Sequence, residues 1–129
     1  MKRLFFITSF LMLFITIQAQ TFVCTDINYY GSNYTPQTAQ KNRAKYLGTK
    51  ATLTFYDKSL KISTNTDGKI ESVVLDKVND SEYQAVDKRG NNVKKLVIKL
   101  NKWVEYIRSF TLESYNNFSL EMNATFKRD

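Results

Sequence analysis

The chain of 129 residues has no histidine, one cysteine, one proline and four glycines. Without histidine there is no Ser-His-Asp or Cys-His constellation. Nor is there an imidazole ligand for zinc or copper, or a side chain that ordinarily titrates near neutral pH. One cysteine forms no intramolecular disulfide, and with no histidine beside it a structural zinc site within one chain is excluded. The glycines Gly31, Gly48, Gly68 and Gly90 lie at least 17 residues apart. Phosphate-cradling loops and dinucleotide fingerprints need glycines a few residues apart, so neither is present. No cofactor and no metal is expected. The remaining acids, such as Asp76, Asp80 and Glu82, cluster near turns, where carboxylates are usually solvated. A carboxylate-based hydrolase or lyase, which needs two such groups at a defined separation, is therefore the second choice.

What is present begins with an address. Met1-Lys2-Arg3 is a short basic start, Leu4 to Ile17 is an apolar run softened only by Thr8, Ser9 and Thr16, and Ala19 is a small residue at a cleavage position. These are the three parts of a secretory signal. A membrane span needs about 20 apolar residues, and Gln18 ends this run too early. Residues 1–19 are expected to be removed and residues 20–129 to form one exported domain, periplasmic or secreted, with no integral membrane segment after cleavage. Loss of Lys2 and Arg3 leaves 17 basic against 12 acidic side chains, a net charge of +5. The two signs are interspersed, which describes a solvated mixed surface, and export disfavours nucleic acid as a partner. Cys24 sits in a strand-like stretch and is expected to be buried. Phe22 and Val23 before it are too bulky for a lipoprotein signal.

The mature chain reads as strands. Phe118, Leu120, Met122, Ala124 and Phe126 alternate with Ser119, Glu121, Asn123 and Thr125, a period of two that marks one buried and one wet face. On that pattern Phe118, Leu120, Met122 and Phe126 face the core and Glu121 faces outward. Leu53 with Phe55, Leu60 with Ile62, Tyr83 with Ala85, and Leu96 with Ile98 and Leu100 alternate in the same way. Val104, Tyr106, Phe110 and Leu112 share one parity, interrupted by Arg108. Ile70 to Val78 breaks the rule with Val73-Val74-Leu75, as a strand buried on both faces would, or one carrying a bulge. Short polar breaks rich in Asp, Asn and Gly separate these runs, and such connections join only antiparallel neighbours. The fold class is therefore all-β, an antiparallel up-and-down meander of about eight strands. It either closes into a small barrel or packs as two sheets. Thr35-Pro36 and Gly48 bracket a segment that is either a short helix near 36–46 or a long loop.

Over residues 49–126, strand number, short hairpins and chain length resemble small exported lipocalin-like (calycin-type) domains. The resemblance is one of architecture: that family's Gly-x-Trp signature is not present, and Trp103 falls late in the chain. It implies a barrel whose interior holds a small ligand.

Tyr29, Tyr30 and Tyr34 cluster in the segment that interrupts the alternation, beside Asn28 and Gly31. Aromatic rings with polar tips suit a binding surface, and they suit equally a plug for one end of a barrel. With Trp103 they are the candidate binding residues. Lys88, Arg89, Lys94, Lys95 and Lys99 gather around one hairpin, where charge discourages edge-to-edge pairing. The expected function is non-enzymatic binding of a small apolar ligand inside the barrel, or of a glycan or protein partner at its rim. An inhibitor of a periplasmic enzyme is a further alternative.

Overall fold

The computed structural model describes residues 19–31 and 34–129; the expected signal segment, apart from Ala19, lies outside them. The strands are β1 (Ala19–Tyr29), β2 (Lys50–Phe55), β3 (Ser59–Thr66), β4 (Lys69–Asn79), β5 (Glu82–Arg89), β6 (Asn92–Trp103), β7 (Tyr106–Asn116) and β8 (Ser119–Arg128). They pair antiparallel in chain order, and β8 pairs back onto β1, so the sheet closes into a barrel rather than two packed sheets. Alternation drives this closure: Leu60 and Ile62 of β3 turn inward while Lys61 and Ser63 do not, and the closed ring leaves no free sheet edge around its sealed part. The buried apolar side chains point into the barrel, while Ile70, Val74, Val78 and Val86 of β4 and β5 are exposed.

A helix, α1 (Pro36–Tyr46), joins β1 to β2. Thr35 is its N-cap: the Thr35 hydroxyl accepts from the Thr38 amide at 3.1 Å, and Pro36 opens the first turn. Such a cap satisfies one of the donors left over at a helix start. Gly48, at φ +84°, reverses the chain after the helix, and its amide donates to the Cys24 carbonyl at 2.9 Å. None of the helix side chains is fully buried. Two side chains tie α1 down: Tyr46, half-buried against the core, and Arg43, whose guanidinium meets the Asp26 carboxylate at 3.1 Å.

The core fills one end of the barrel. Phe22, Phe110, Leu53, Leu60, Leu75 and Ile98 are its largest fully buried side chains. Phe110 packs edge-on against Phe22, 5.1 Å between centroids, and stacks on Phe126 at 4.7 Å.

Five expectations need correction, most of them at turns or register shifts. Phe118 does not enter the core. It is 81 % exposed, because Asn117 and Phe118, at φ 49° and 68°, form the tight turn between β7 and β8. Leu120 does not enter the core either: it pairs with Tyr115, which borders an outer groove, whereas Met122 pairs with inward Ser114. Glu121 is thus the extra residue of a bulge, and it lines the interior cavity instead of facing outward. Tyr106 is exposed and Ile107 buried, because Arg108 is unpaired between Asn101↔Ser109 and Lys102↔Ile107. The interruption at Arg108 was the visible trace of that bulge. Finally, β4 is not buried on both faces: Leu75 alone is buried in it. Its bulge, at Val78, lies beyond the Val73-Val74-Leu75 run.

Candidate functional site

At the end opposite the phenylalanine stack, the inward side chains become small or polar. Leu60 and Ile62 are followed on the same face of β3 by Thr64 and Thr66, and Phe110 and Leu112 on β7 by Ser114. Small side chains leave space, and a cavity of about 390 Å³ opens there. Its floor is Phe126, Ala124 and Cys24, and Ile27, Leu112 and Met122 form apolar walls. Thr64, Thr66, Ser114, Glu71 and Glu121 supply the polar groups. Glu71 is held 3.2 Å from Lys69.

Three tyrosines border the cavity: Tyr29 from the end of β1, Tyr34 from the connection, and Tyr46 from the last turn of α1. Asn42 joins them one helical turn before Tyr46, on the same face of α1. The Tyr29 and Tyr34 rings lie 5.1 Å apart. Burial pushes the Tyr29 phenol up to about 12, and the neighbouring Tyr46 and Tyr34 add to the shift. Burial likewise raises the Cys24 thiol above its ordinary value. Cys24 is free and buried, as expected.

The expected binding residues are not all brought together. Tyr29 and Tyr34 meet at the cavity, whereas Tyr30 is 46 % exposed and does not line it. The Tyr30 amide donates to the Glu121 carbonyl at 2.8 Å, which pins the β1 end to the β8 bulge. Trp103 sits at the far, sealed end of the barrel, as the last residue of β6 opposite Tyr106 of β7. Sequence reasoning missed Tyr46, Asn42, Thr64, Ser114 and Glu121. The only signal for the first two was the four-residue spacing from Asn42 to Tyr46.

The sheet is split beside the cavity. β4 and β5 pair only at Asp76↔Gln84, Lys77↔Tyr83 and Asn79↔Glu82. From Leu75 toward the open end β4 bonds only β3, and from Ala85 onward β5 bonds only β6. An open recess of about 220 Å³ lies at this slit, lined by Val73, Ala85, Leu96 and Ser114, with Lys94 and Lys95 among its polar residues. Ser114 borders both spaces. Asp87, across from Lys94, is paired with Arg89 at 3.2 Å.

The turn acids do not converge on this cavity. Asp80 is solvated and 3.2 Å from Lys77. Glu82 borders a separate outer groove of about 310 Å³ with Val97, Tyr115 and Phe118. Beside that groove Lys99 approaches Glu113 to 3.1 Å. This is an ion pair rather than a well-angled hydrogen bond, and Glu113 Oε1 has no other partner. The Glu113 carboxylate raises Lys99 above its usual value. Among the described residues, no three of His, Cys, Asp and Glu gather as metal ligands.

Comparison with protein-family models, with curated proteins and with solved structures finds no match to this chain.

Proposed function

We propose that this chain is a non-enzymatic, exported binding protein that holds a small ligand in the open end of its barrel, in the manner of lipocalin-like domains. One observation carries this reading. The same eight strands are packed solid by Phe22, Phe110 and Phe126 at one end and enclose about 390 Å³ at the other. That volume falls within the roughly 300–1,000 Å³ of small-molecule sites, which combine apolar walls with a few polar groups. The walls suit a ligand with an apolar body. Thr64, Ser114 and the tyrosine hydroxyls suit one or two hydrogen-bonding groups on it. The slit between β4 and β5 offers a lateral path to the same space, while α1 covers the opposite side.

Titration with the fluorescent amphiphile anilinonaphthalene sulfonate tests this. The expected result is saturable one-to-one binding that Met122→Trp abolishes with little change in melting temperature. Undiminished binding to that variant, folded, would place the dye elsewhere and sink the reading. The address is tested separately: mass spectrometry of the exported product should find Gln20 as its first residue.

A further inference from the structure

The sealed end of the barrel carries a feature the cavity does not use. In the turn between β6 and β7, Trp103, Val104 and Tyr106 are 64 %, 79 % and 56 % exposed. Val104 has φ +56°, a conformation that suits glycine and strains a β-branched residue. A strained, outward-facing valine between two exposed aromatics has no packing explanation, and strain of this kind concentrates at functional sites. The rings are matched with cations. The Arg108 guanidinium lies 4.6 Å from the Trp103 ring and that of Arg128 4.3 Å from Tyr106. Arg128 is fixed in place by the Ile107 carbonyl at 2.7 Å and Gln20 Oε1 at 2.6 Å. Lys102 belongs to the same hairpin, and Lys127 stands opposite Ser109 on β8. Asp129 is paired with Lys50 at 3.4 Å and Asp80, in the β4–β5 turn at the same end, with Lys77 at 3.2 Å. Asp57 lies in the β2–β3 turn, and within the hairpin itself Glu105 is the one acid against Lys102 and Arg108.

We propose that this hairpin is an attachment point for an anionic lipid surface, with Trp103, Val104 and Tyr106 entering the headgroup region and Lys102, Arg108, Lys127 and Arg128 meeting acidic headgroups. Shape favours lipid over a protein partner. A specific protein interface covers roughly 800 Å² on each side, far more than one turn of chain presents, and it needs a complementary contour. A bilayer interface has no contour to match. Trp and Tyr are the side chains that settle at it, and nearby Lys and Arg strengthen attachment to acidic lipid. The hairpin lies at the opposite end from the cavity, so the inference does not depend on what the cavity holds.

Trp103 is the single tryptophan of the chain, so its fluorescence reports on this turn alone, whatever the N-terminal segment does. The full chain is mixed with equimolar phosphatidylglycerol/phosphatidylcholine vesicles. Trp103 emission should shift to the blue and be quenched by brominated acyl chains, and added salt should reverse both. Pure phosphatidylcholine should give little of either. Lys102→Glu with Lys127→Glu should weaken the effect by about tenfold or more, from two reversed charges near the surface. Val104→Gly, which relieves the turn and therefore folds, should also weaken it. Unchanged Trp103 emission on vesicles that nevertheless carry the protein down in a centrifuge would overturn the proposal. So would shielding of Trp103 from acrylamide by an added protein and not by vesicles.

Discussion

The Phe110 ring stacks on that of Phe126, 4.7 Å between centroids and 5° from parallel, and Phe22 closes the group edge-on to Phe110. Offset and edge-on contacts of this kind add to what apolar burial alone contributes. All three strands involved, β1, β7 and β8, are neighbours where the ring of strands closes, so the cluster is the clasp of the barrel. Phe110→Ala is expected to cost about 3–5 kcal/mol, a large share of the roughly 5–15 kcal/mol available to a domain. Phe118→Ala, exposed in a turn, should stay within about 0.5 kcal/mol. Urea unfolding of the two variants measures the contrast, and equal losses would mean that the clasp is elsewhere.

Two turns are expected to accept glycine with profit. Phe118 and Val104 hold φ of 68° and 56°, and a left-handed conformation costs a side chain with a Cβ about 1–2 kcal/mol. Part of the relief is lost to the greater freedom of glycine in the unfolded chain. Phe118→Gly and Val104→Gly should each therefore raise stability by about 0.5–1 kcal/mol. The Asp67-Gly68 turn, with φ of 52° and 85°, already has the residues such a hairpin prefers. A drop in melting temperature for either glycine variant would show that the exposed side chain contributes packing.

Much of this architecture is legible in the alternation of apolar residues, because a strand that buries one face must repeat every second residue. The pairs Leu60/Ile62 and Met122/Phe126 declared their inward faces, while Thr35, Pro36 and Gly48 bracketed α1 without deciding between a helix and a long loop. Bulges were harder. Arg108 interrupted an otherwise regular parity and so left a trace. Glu121 left none, because it sits at the outward position of an unbroken alternation and only the β7–β8 register reveals the bulge. The cavity was half legible. Tyr29 and Tyr34 stood out as aromatics in a break, but Ser114 and Thr64 are ordinary strand residues whose importance comes from which end of the barrel is left unfilled. The slit could not be read at all: continuing the register would set Leu75 against Ala85 and Val73 against Asp87, but β4 and β5 part company after Asp76↔Gln84.

Alkaline titration should single out Tyr29. Its phenol is raised from 10.0 to about 12 by burial, with Tyr46 and Tyr34 contributing. Because the folded value lies above the unfolded one, the folded state holds its proton longer. The associated stability is complete below pH 10 and is lost as pH rises toward about 12. Ultraviolet difference absorbance of phenolate should show a late step in the wild type that is missing from Tyr29→Phe, and the variant's stability should fall less steeply over that range. Tyr83 and Tyr115 are also raised, each mainly by burial, so the Tyr29→Phe difference, not the total curve, is the test.

Cys24 offers a probe of how the open end moves. Its thiol lies on the cavity floor, buried, with its ionisation pushed up chiefly by that burial. The thiolate is the reactive form, so a charged disulfide reagent near pH 8 should modify the folded protein slowly and the unfolded protein fast. The cover over Cys24 is α1, held to β1 by Arg43, which meets Asp26 at 3.1 Å and donates to the Ile27 carbonyl at 3.5 Å. Both charged side chains are about half exposed, so Arg43→Ala should change global stability by no more than about 1 kcal/mol. It should nevertheless speed Cys24 modification severalfold, because the helix has no fully buried side chain and half-buried Tyr46 is left as its main anchor once the ion pair is gone. Anilinonaphthalene sulfonate in the cavity should slow the reaction again. Modification of wild type and Arg43→Ala at one common rate would show that the reagent reaches Cys24 through the slit between β4 and β5, and that α1 is not the moving part.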